Sequence, residues 1–421
     1  MHPGRRNFRA VWLALFTTSM GLMALLPVLA LYIEEEFGIT DPTEVAFWAS
    51  VIYGLGPFSA ACMGPLWGAM GDRYGKKRMA VRANLAIALT TALMPLATTP
   101  IWLAALRVLQ GMFAGYVAPA MALVSGHLPK RVHGRVIARL QVAMALGSFV
   151  GPYLGAEVTS LFGRKALFWV ASTMSVLGAV RLLVCAVDSP PWPEARAGTF
   201  LSSFRRGVSD LLGNRAFALL LTLLLVLRLG QNMLEPMLSL FLRELGPQEW
   251  IAAWSRSESL AIDRTIAVAF GVLAIGQWLF TPMWGRMADR RGPLRSLIIL
   301  SFGLFLAQGA MVFVNSTNQF LLLRVVTACL MAGSLTLAFA SASKRVVDEH
   351  RTLSLALVQS CIQLGLAFGP LFGTAVATSR EGTDFRRAFA AAAVLCLIAG
   401  VGMMCLRRAE RGGAEPGRCA R

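Results

Sequence analysis

Pro65-Leu-Trp67-Gly68-Ala-Met-Gly-Asp72-Arg73-Tyr-Gly75 is answered 217 residues later by Pro282-Met-Trp284-Gly285-Arg-Met-Ala-Asp289-Arg290-Arg-Gly292. The same offset carries Leu106-Arg107-Val108 onto Leu323-Arg324-Val325, and His133 onto His350. One residue late, Gly147-Ser-Phe-Val-Gly151-Pro152-Tyr-Leu-Gly155 returns as Gly365-Leu-Ala-Phe-Gly369-Pro370-Leu-Phe-Gly373. A period this long is a duplicated half-protein, not a solenoid unit.

The solvent for most of the chain is lipid. Of 421 residues, 56% are hydrophobic and 15% charged, against about 25% charged in an ordinary soluble domain. Mean hydropathy is +0.61. Stretches long enough to cross a bilayer fall at 10–33, 45–70, 79–97, 101–126, 136–158 and 166–187, then at 216–242, 265–285, 296–314, 319–342, 353–378 and 388–406. That is six spans in each copy. A duplicated half in such a chain points to a transporter built around a pseudo-two-fold axis along the membrane normal.

The formal net charge of +18 orients the protein and gives no sign of a nucleic-acid partner. With the N-terminus inside and the inner turns counted through Arg82 and Arg139, cytoplasmic segments hold 28 of the 40 Lys and Arg, the positive-inside bias. Four more, Arg107, Arg181, Arg228 and Arg324, lie within spans. The first apolar stretch exceeds a secretory h-region, and no small-residue cleavage site precedes Glu34-Glu35-Glu36, so it reads as an uncleaved span. The predicted organisation is a six-helix bundle over 1–187, a cytoplasmic linker over 188–214 with Pro190, Pro191 and Pro193, and a second six-helix bundle over 215–421 with a short cytoplasmic tail. Both termini are expected in the cytoplasm. Seven cysteines form no metal spacing and no disulfide framework. No Walker-type loop is present, and no nucleophile–base or metal constellation suggests an enzyme.

The run Gly68-x-x-x-Asp72-Arg73-x-Gly75, between spans 2 and 3, resembles motif A of the major facilitator superfamily, and Gly285 to Gly292 is its second copy. Arg107-Val-Leu-Gln110-Gly111 resembles motif B of the proton-driven antiporters, with Thr327 in place of the Gln in the second copy. Gly147-x-x-x-Gly151-Pro152-x-x-Gly155 resembles motif C, the antiporter motif. Glycines four apart let a neighbouring helix approach closely, and such a pliable seam is expected at the boundary between the halves. Across the whole chain the likeness is to the twelve-span drug:proton antiporters. It implies a major facilitator fold with all-α bundles, export by rocker-switch alternating access, a proton gradient as the energy source without a cofactor, and a monomer in a bacterial inner membrane. It also implies that Gly68, Asp72, Arg73, Gly75, Asp289, Arg290 and Gly292 form the inward gate, with Asp72 facing span 11 near Thr352 and Asp289 facing span 5 near Gly134.

Span 7 carries the least expected chemistry. Arg228, Gln231, Asn232 and Glu235 recur at i, i+3, i+4 and i+7 and so share one helical face. Polar groups on such a stripe must face protein or water. Glu235 is the candidate titrating or substrate-sensing carboxylate, with Arg228 and Arg107 as tuning charges; a purely structural Arg228–Glu235 pair is the alternative. Glu157, near the outer end of span 5, reads as a rim residue. Span 1 has no acid between Arg9 and Glu34. Tyr53, Gln110, Tyr116, Gln141, Gln231, Asn232, Gln277, Arg324, Gln359 and Gln363 are candidates to line the substrate cavity with sparse hydrogen bonds. The expected cargo is a small molecule. Multidrug efflux, dedicated export of a metabolite or siderophore, and a non-transporting membrane sensor remain open at this point.

Overall fold

The computed structural model describes residues 3–125, 133–188, 208–211, 213–345, 351–379 and 382–412; within these, the side chains of 3–4, 64–66, 68–74, 118, 122, 125, 133–135, 137–138, 351–353, 356, 379 and 411–412 lie outside the description. Among the described residues, ten helices are long and apolar enough to cross a membrane. One of them, Arg139–Cys185, has 47 residues, and a helix of about 20 already spans the hydrocarbon. It is interrupted at Gly163, φ +81 and ψ 167, which divides it into spans 5 and 6. Pro100–Phe113 is short alone, but Val117–Ser125 continues it as span 4. The result is an all-α protein of twelve membrane helices in two six-helix bundles. The one strand pair among the described residues, Thr378–Ser379 with Gly382–Thr383, lies between spans 11 and 12.

Helix starts follow their local sequence. Asp41 accepts from the Thr43 amide ahead of Pro42, and Thr99 accepts from the Trp102 amide ahead of Pro100. Asn214, Ser257 and Ser316 cap the helices that begin spans 7, 8 and 10. Each side-chain oxygen satisfies an amide that the helix itself cannot, and proline at the first position gives up no bond. Gly75 and Gly292, at the turns after spans 2 and 8, both adopt positive φ, +98 and +86, where a side chain would be strained.

Several spans are broken, which their hydrophobicity did not reveal. Span 1 stops at Leu25 and resumes at Leu29 around Pro27. Span 7 stops at Asn232, makes a single 3-10 turn over Glu235–Met237, and resumes as Leu238–Leu245. Pro236 lacks the amide that an unbroken helix needs. Spans 4 and 10 break at matching places, 114–116 and 332–333. There the duplicated tryptophans act as caps. In an unbroken helix the Met112 carbonyl would accept from the amide of residue 116. That amide turns to Ala114, and the Trp67 indole donates to Met112 at 2.5 Å instead. In the second half the Gly333 amide turns to Leu330, and Trp284 donates to the Cys329 carbonyl at 2.7 Å.

The antiporter-like glycines correct an expectation. Gly147, Gly151 and Gly155 press on span 1 of their own half, where an added Cβ would come within 2.5–2.6 Å of the Phe16, Met20 and Ala24 carbonyl oxygens. Gly365, Gly369 and Gly373 press likewise on span 7 at Arg228, Leu229 and Met233. These seams lie inside each half, not between the halves. The boundary is formed by span 2 on span 11 and span 5 on span 8. Its close approaches are Gly54, whose Cβ would meet the Ala367 oxygen at 2.2 Å, and Gly271, whose Cβ would meet the Tyr153 ring at 3.1 Å. Gly54 and Gly271 are themselves 217 residues apart.

The distribution of the apolar core fixes the conformation. With the side that carries the two termini called inner, one continuous cluster joins the outer parts of both halves, from Ala24, Ile33 and Ile52 to Met237, Phe241, Ala377 and Phe389. Toward the inner side each half has a separate core, one around Leu15, Leu123 and Leu182 and the other around Leu220, Leu297 and Met403. Polar links between the halves also sit on the outer side. Glu34 pairs with Arg243 and Glu157 with Arg264, each at 2.7 Å, and Ser50 bonds Thr374 at 2.6 Å. The outer side is therefore sealed.

Candidate functional site

Below that seal, the membrane interior holds a small set of charges. Arg107 on span 4 and Arg324 on span 10 stand in the same frame: each Nε donates, at 3.3 Å, to a carbonyl of the neighbouring helix, Ile52 for Arg107 and Ala269 for Arg324. Those two carbonyls are again 217 residues apart. The rest of each guanidinium differs. Arg107 donates to Gln110 Oε1 at 2.5 Å, and Gln110 in turn donates to Thr91 at 2.7 Å. Thr327, in the place of Gln110, is too short for that contact and donates to its own Leu323 carbonyl.

Arg324 is thereby free to reach across to span 7. Its Nη2 donates to both carboxylate oxygens of Glu235, at 2.9 and 3.0 Å. Both side chains are almost wholly buried, 6% and 10% exposed, so neither charge relies on water. The break at Pro236 ends the helix beside Glu235 and brings its turn against span 2. Tyr53 of span 2 lies close enough to feel the charges of Arg107, Glu235 and Arg324. Beneath the outer seal Tyr53 thus lies within electrostatic range of two guanidiniums and one carboxylate drawn from both halves.

The expected Arg228–Glu235 pairing is not what forms. Seven residues of helix separate two side chains by about 10.5 Å along the axis, and Glu235 is already engaged by Arg324. Among the described residues Arg228 has no carboxylate partner; its backbone carbonyl accepts from Asn232 at 2.8 Å. Gln231 is buried with neither amide atom hydrogen-bonded among the described residues. Tyr53 and Tyr116 are buried, Gln363 is half-buried, and Gln141, Gln277 and Gln359 are exposed without side-chain hydrogen bonds among the described residues. Asp289 and Arg290 are exposed at the inner turn. The expected contacts of Asp72, Arg73, Thr352 and Gly134 fall outside the described side chains, as do the surroundings of Gly68. What is seen at that turn is Asp188, whose carboxylate accepts from the Lys77 amide at 3.2 Å. No group of His, Cys, Asp and Glu that could hold a metal occurs among the described residues.

Sequence reasoning missed three features: the Glu235–Arg324 pair, the Gly54 and Gly271 boundary, and the outer ion pairs. The repeat offset could have exposed the glycines, since both copies carry one.

The profile of the Major Facilitator Superfamily matches residues 11–255 and again 220–418. The chain belongs to the major facilitator superfamily. This superfamily member is a membrane transporter, not an enzyme, and acts on small molecules within a bilayer. It is 28% identical to a multi-drug resistance efflux pump PmrA homolog of Lactococcus lactis subsp. lactis, over 89% of this chain and 88% of that one. It is also 28% identical to the multidrug resistance protein MdtG of Salmonella heidelberg, over 94% and 93% of the two chains. Among solved structures, the nucleoside transporter NupG superposes with a TM-score of 0.77 at 13% identity, covering 96% of this chain and 99% of that chain. A D-xylose-proton symporter superposes with a TM-score of 0.76 at 12% identity, covering 94% and 96%. At such identities these two likenesses speak to the fold.

Proposed function

We propose that this major facilitator protein is a proton-driven exporter of small molecules, acting by rocker-switch alternating access in a bacterial cytoplasmic membrane with both termini inside. Broad, multidrug efflux is the reading that the names of the PmrA and MdtG relatives support. The observation that carries proton coupling is the buried Glu235–Arg324 pair. A carboxylate inside the membrane is stable as an anion only while its partner stays close, and protonation removes the reason for the pair to persist. Proton binding at Glu235 would release Arg324 and loosen span 7 at the Pro236 break, beneath the outer seal. A proton moving inward through 100 mV contributes about 2.3 kcal/mol, enough to bias two conformations that differ by a few kcal/mol. No cofactor is required, and one chain holds the complete charge set. At the inner side, Asp72 and Asp289 with their neighbouring Arg and Gly residues act as the gate in this reading.

Everted membrane vesicles test it. Acidifying the lumen by respiration should drive uptake of several unrelated amphiphilic dyes, and Glu235→Gln should abolish that uptake. Glu235→Gln leaves Arg324 buried without its partner, at a cost of about 3–5 kcal/mol. Expression and folding are therefore checked with the double variant Glu235→Gln/Arg324→Gln. Dye uptake by a folded Glu235→Gln protein at the native rate would remove Glu235 from the coupling mechanism. Asp72→Asn with unchanged transport and unchanged inner accessibility would remove the gate.

A further inference from the structure

The charges that face the interior do not balance. Arg107, Arg228 and Arg324 stand deep within the spans together with one deep carboxylate, Glu235, which Arg324 takes up. Glu34 and Glu157 are spent in the outer seal. Arg107 is held by two neutral acceptors, the Ile52 carbonyl and Gln110, and so keeps its charge uncompensated. Arg228 has no hydrogen-bond acceptor or carboxylate for its guanidinium among the described residues. Both residues are half-buried.

A guanidinium near the middle of a membrane must face water or an anion. Beside Arg228 stands Gln231, 3% exposed, with both its amide donor and its amide acceptor unmatched. An unmatched buried amide is costly and is kept where something else completes its bonds. Gln231 lies three residues after Arg228, on the same stripe.

We infer that the interior between the halves, beneath the outer seal, takes organic anions: amphiphiles whose carboxylate, phosphonate or sulfonate is held by Arg228 and Gln231, with Arg107 adding to the attraction from the other half. This rests on the efflux reading above and names its substrate class. A cleft lined by one sign of charge between low-dielectric walls concentrates ligands of the opposite sign, and a planar guanidinium forms strong charge-assisted bonds with such oxyanions. Cations meet the reverse, since the interior acid that would attract them is occupied by Arg324.

Two probes sharing one apolar body decide the matter: pyrenebutyrate, an anion, and pyrenebutyl-trimethylammonium, a cation. Binding to the full chain in nanodiscs is followed by pyrene fluorescence. The anion should bind at least about tenfold more tightly than the cation. Arg228→Gln should lose about tenfold in anion affinity, the size expected for one charge-assisted hydrogen bond, while Arg228→Lys keeps most of it. Gln231→Leu should weaken anion binding severalfold without lowering the thermal midpoint, because it deletes an unmatched amide. Equal affinity for the two probes, or preference for the cation, overturns the assignment, as does a folded Arg228→Gln protein with native anion affinity. Uptake of the same probes into everted vesicles separates this from the efflux reading. Cation uptake without anion uptake sinks the substrate class and leaves efflux standing. Anion binding without pH-driven uptake supports the class and sinks efflux.

Discussion

Trp67 and Trp284 show how a duplicated residue can be structural in both copies. Each indole donates to a carbonyl that a helix break has set free, and a buried carbonyl left without a donor costs about 1–3 kcal/mol. Trp284→Phe keeps the ring and removes only the donor, so it should destabilise the protein by about that amount in a denaturant titration in detergent micelles; an unchanged midpoint would show that the contact adds nothing. The same frame explains what the second copy changed. Gln110 on span 4 bonds Thr91 on span 3, and in the second half the two types are exchanged, Thr327 and Gln308. That exchange leaves Arg324 without a local side-chain acceptor and lets it reach Glu235. Glu235 and Arg324 were both legible in the sequence as membrane charges. Their pairing was not, because helical periodicity describes one helix face and cannot show what arrives from a neighbouring span.

At the scale of elements, the repeat located the spans well and their breaks poorly. Length and hydropathy set where a segment crosses. The breaks in spans 1 and 7 depend on single prolines, and those in spans 4 and 10 depend on a tryptophan from another helix. The antiporter-like stripe was correctly read as a close-packing surface and assigned to the wrong neighbour, since spacing reveals a small-residue face but not its partner. The boundary glycines offer the corresponding test. Gly54→Ala would place a methyl carbon against the Ala367 backbone, where 2.2 Å is far inside contact, so spans 2 and 11 must part on the sealed side. The variant should raise labelling of a cysteine placed at Ser50 by an impermeant maleimide added outside. Gly271→Ala should do less, because the Tyr153 ring at 3.1 Å can shift aside. Equal, native-like labelling in both would mean that the seam does not control outer access.

For the whole molecule, a shared outer core and two separate inner cores are, in the alternating-access mechanism proposed above, one end point of the rocking motion. The pairs Glu34–Arg243 and Glu157–Arg264 fasten that end point from one half to the other. Partly exposed pairs of this kind are worth about 0–1 kcal/mol each and weaken in salt, a suitable size for a latch that must open in every cycle. Replacing Glu34 and Glu157 together by Gln should shift the population toward the outward-open state by a few-fold, read as faster outer labelling, with a larger effect at low ionic strength. The measurement that bears most directly on coupling is proton movement in weakly buffered proteoliposomes, recorded together with substrate exchange. The native protein should move protons against substrate and also exchange labelled for unlabelled substrate. A folded Glu235→Gln protein should still exchange substrate and move no protons. Substrate-dependent proton movement that survives in Glu235→Gln would contradict the assignment of Glu235 and Arg324 as the coupling pair.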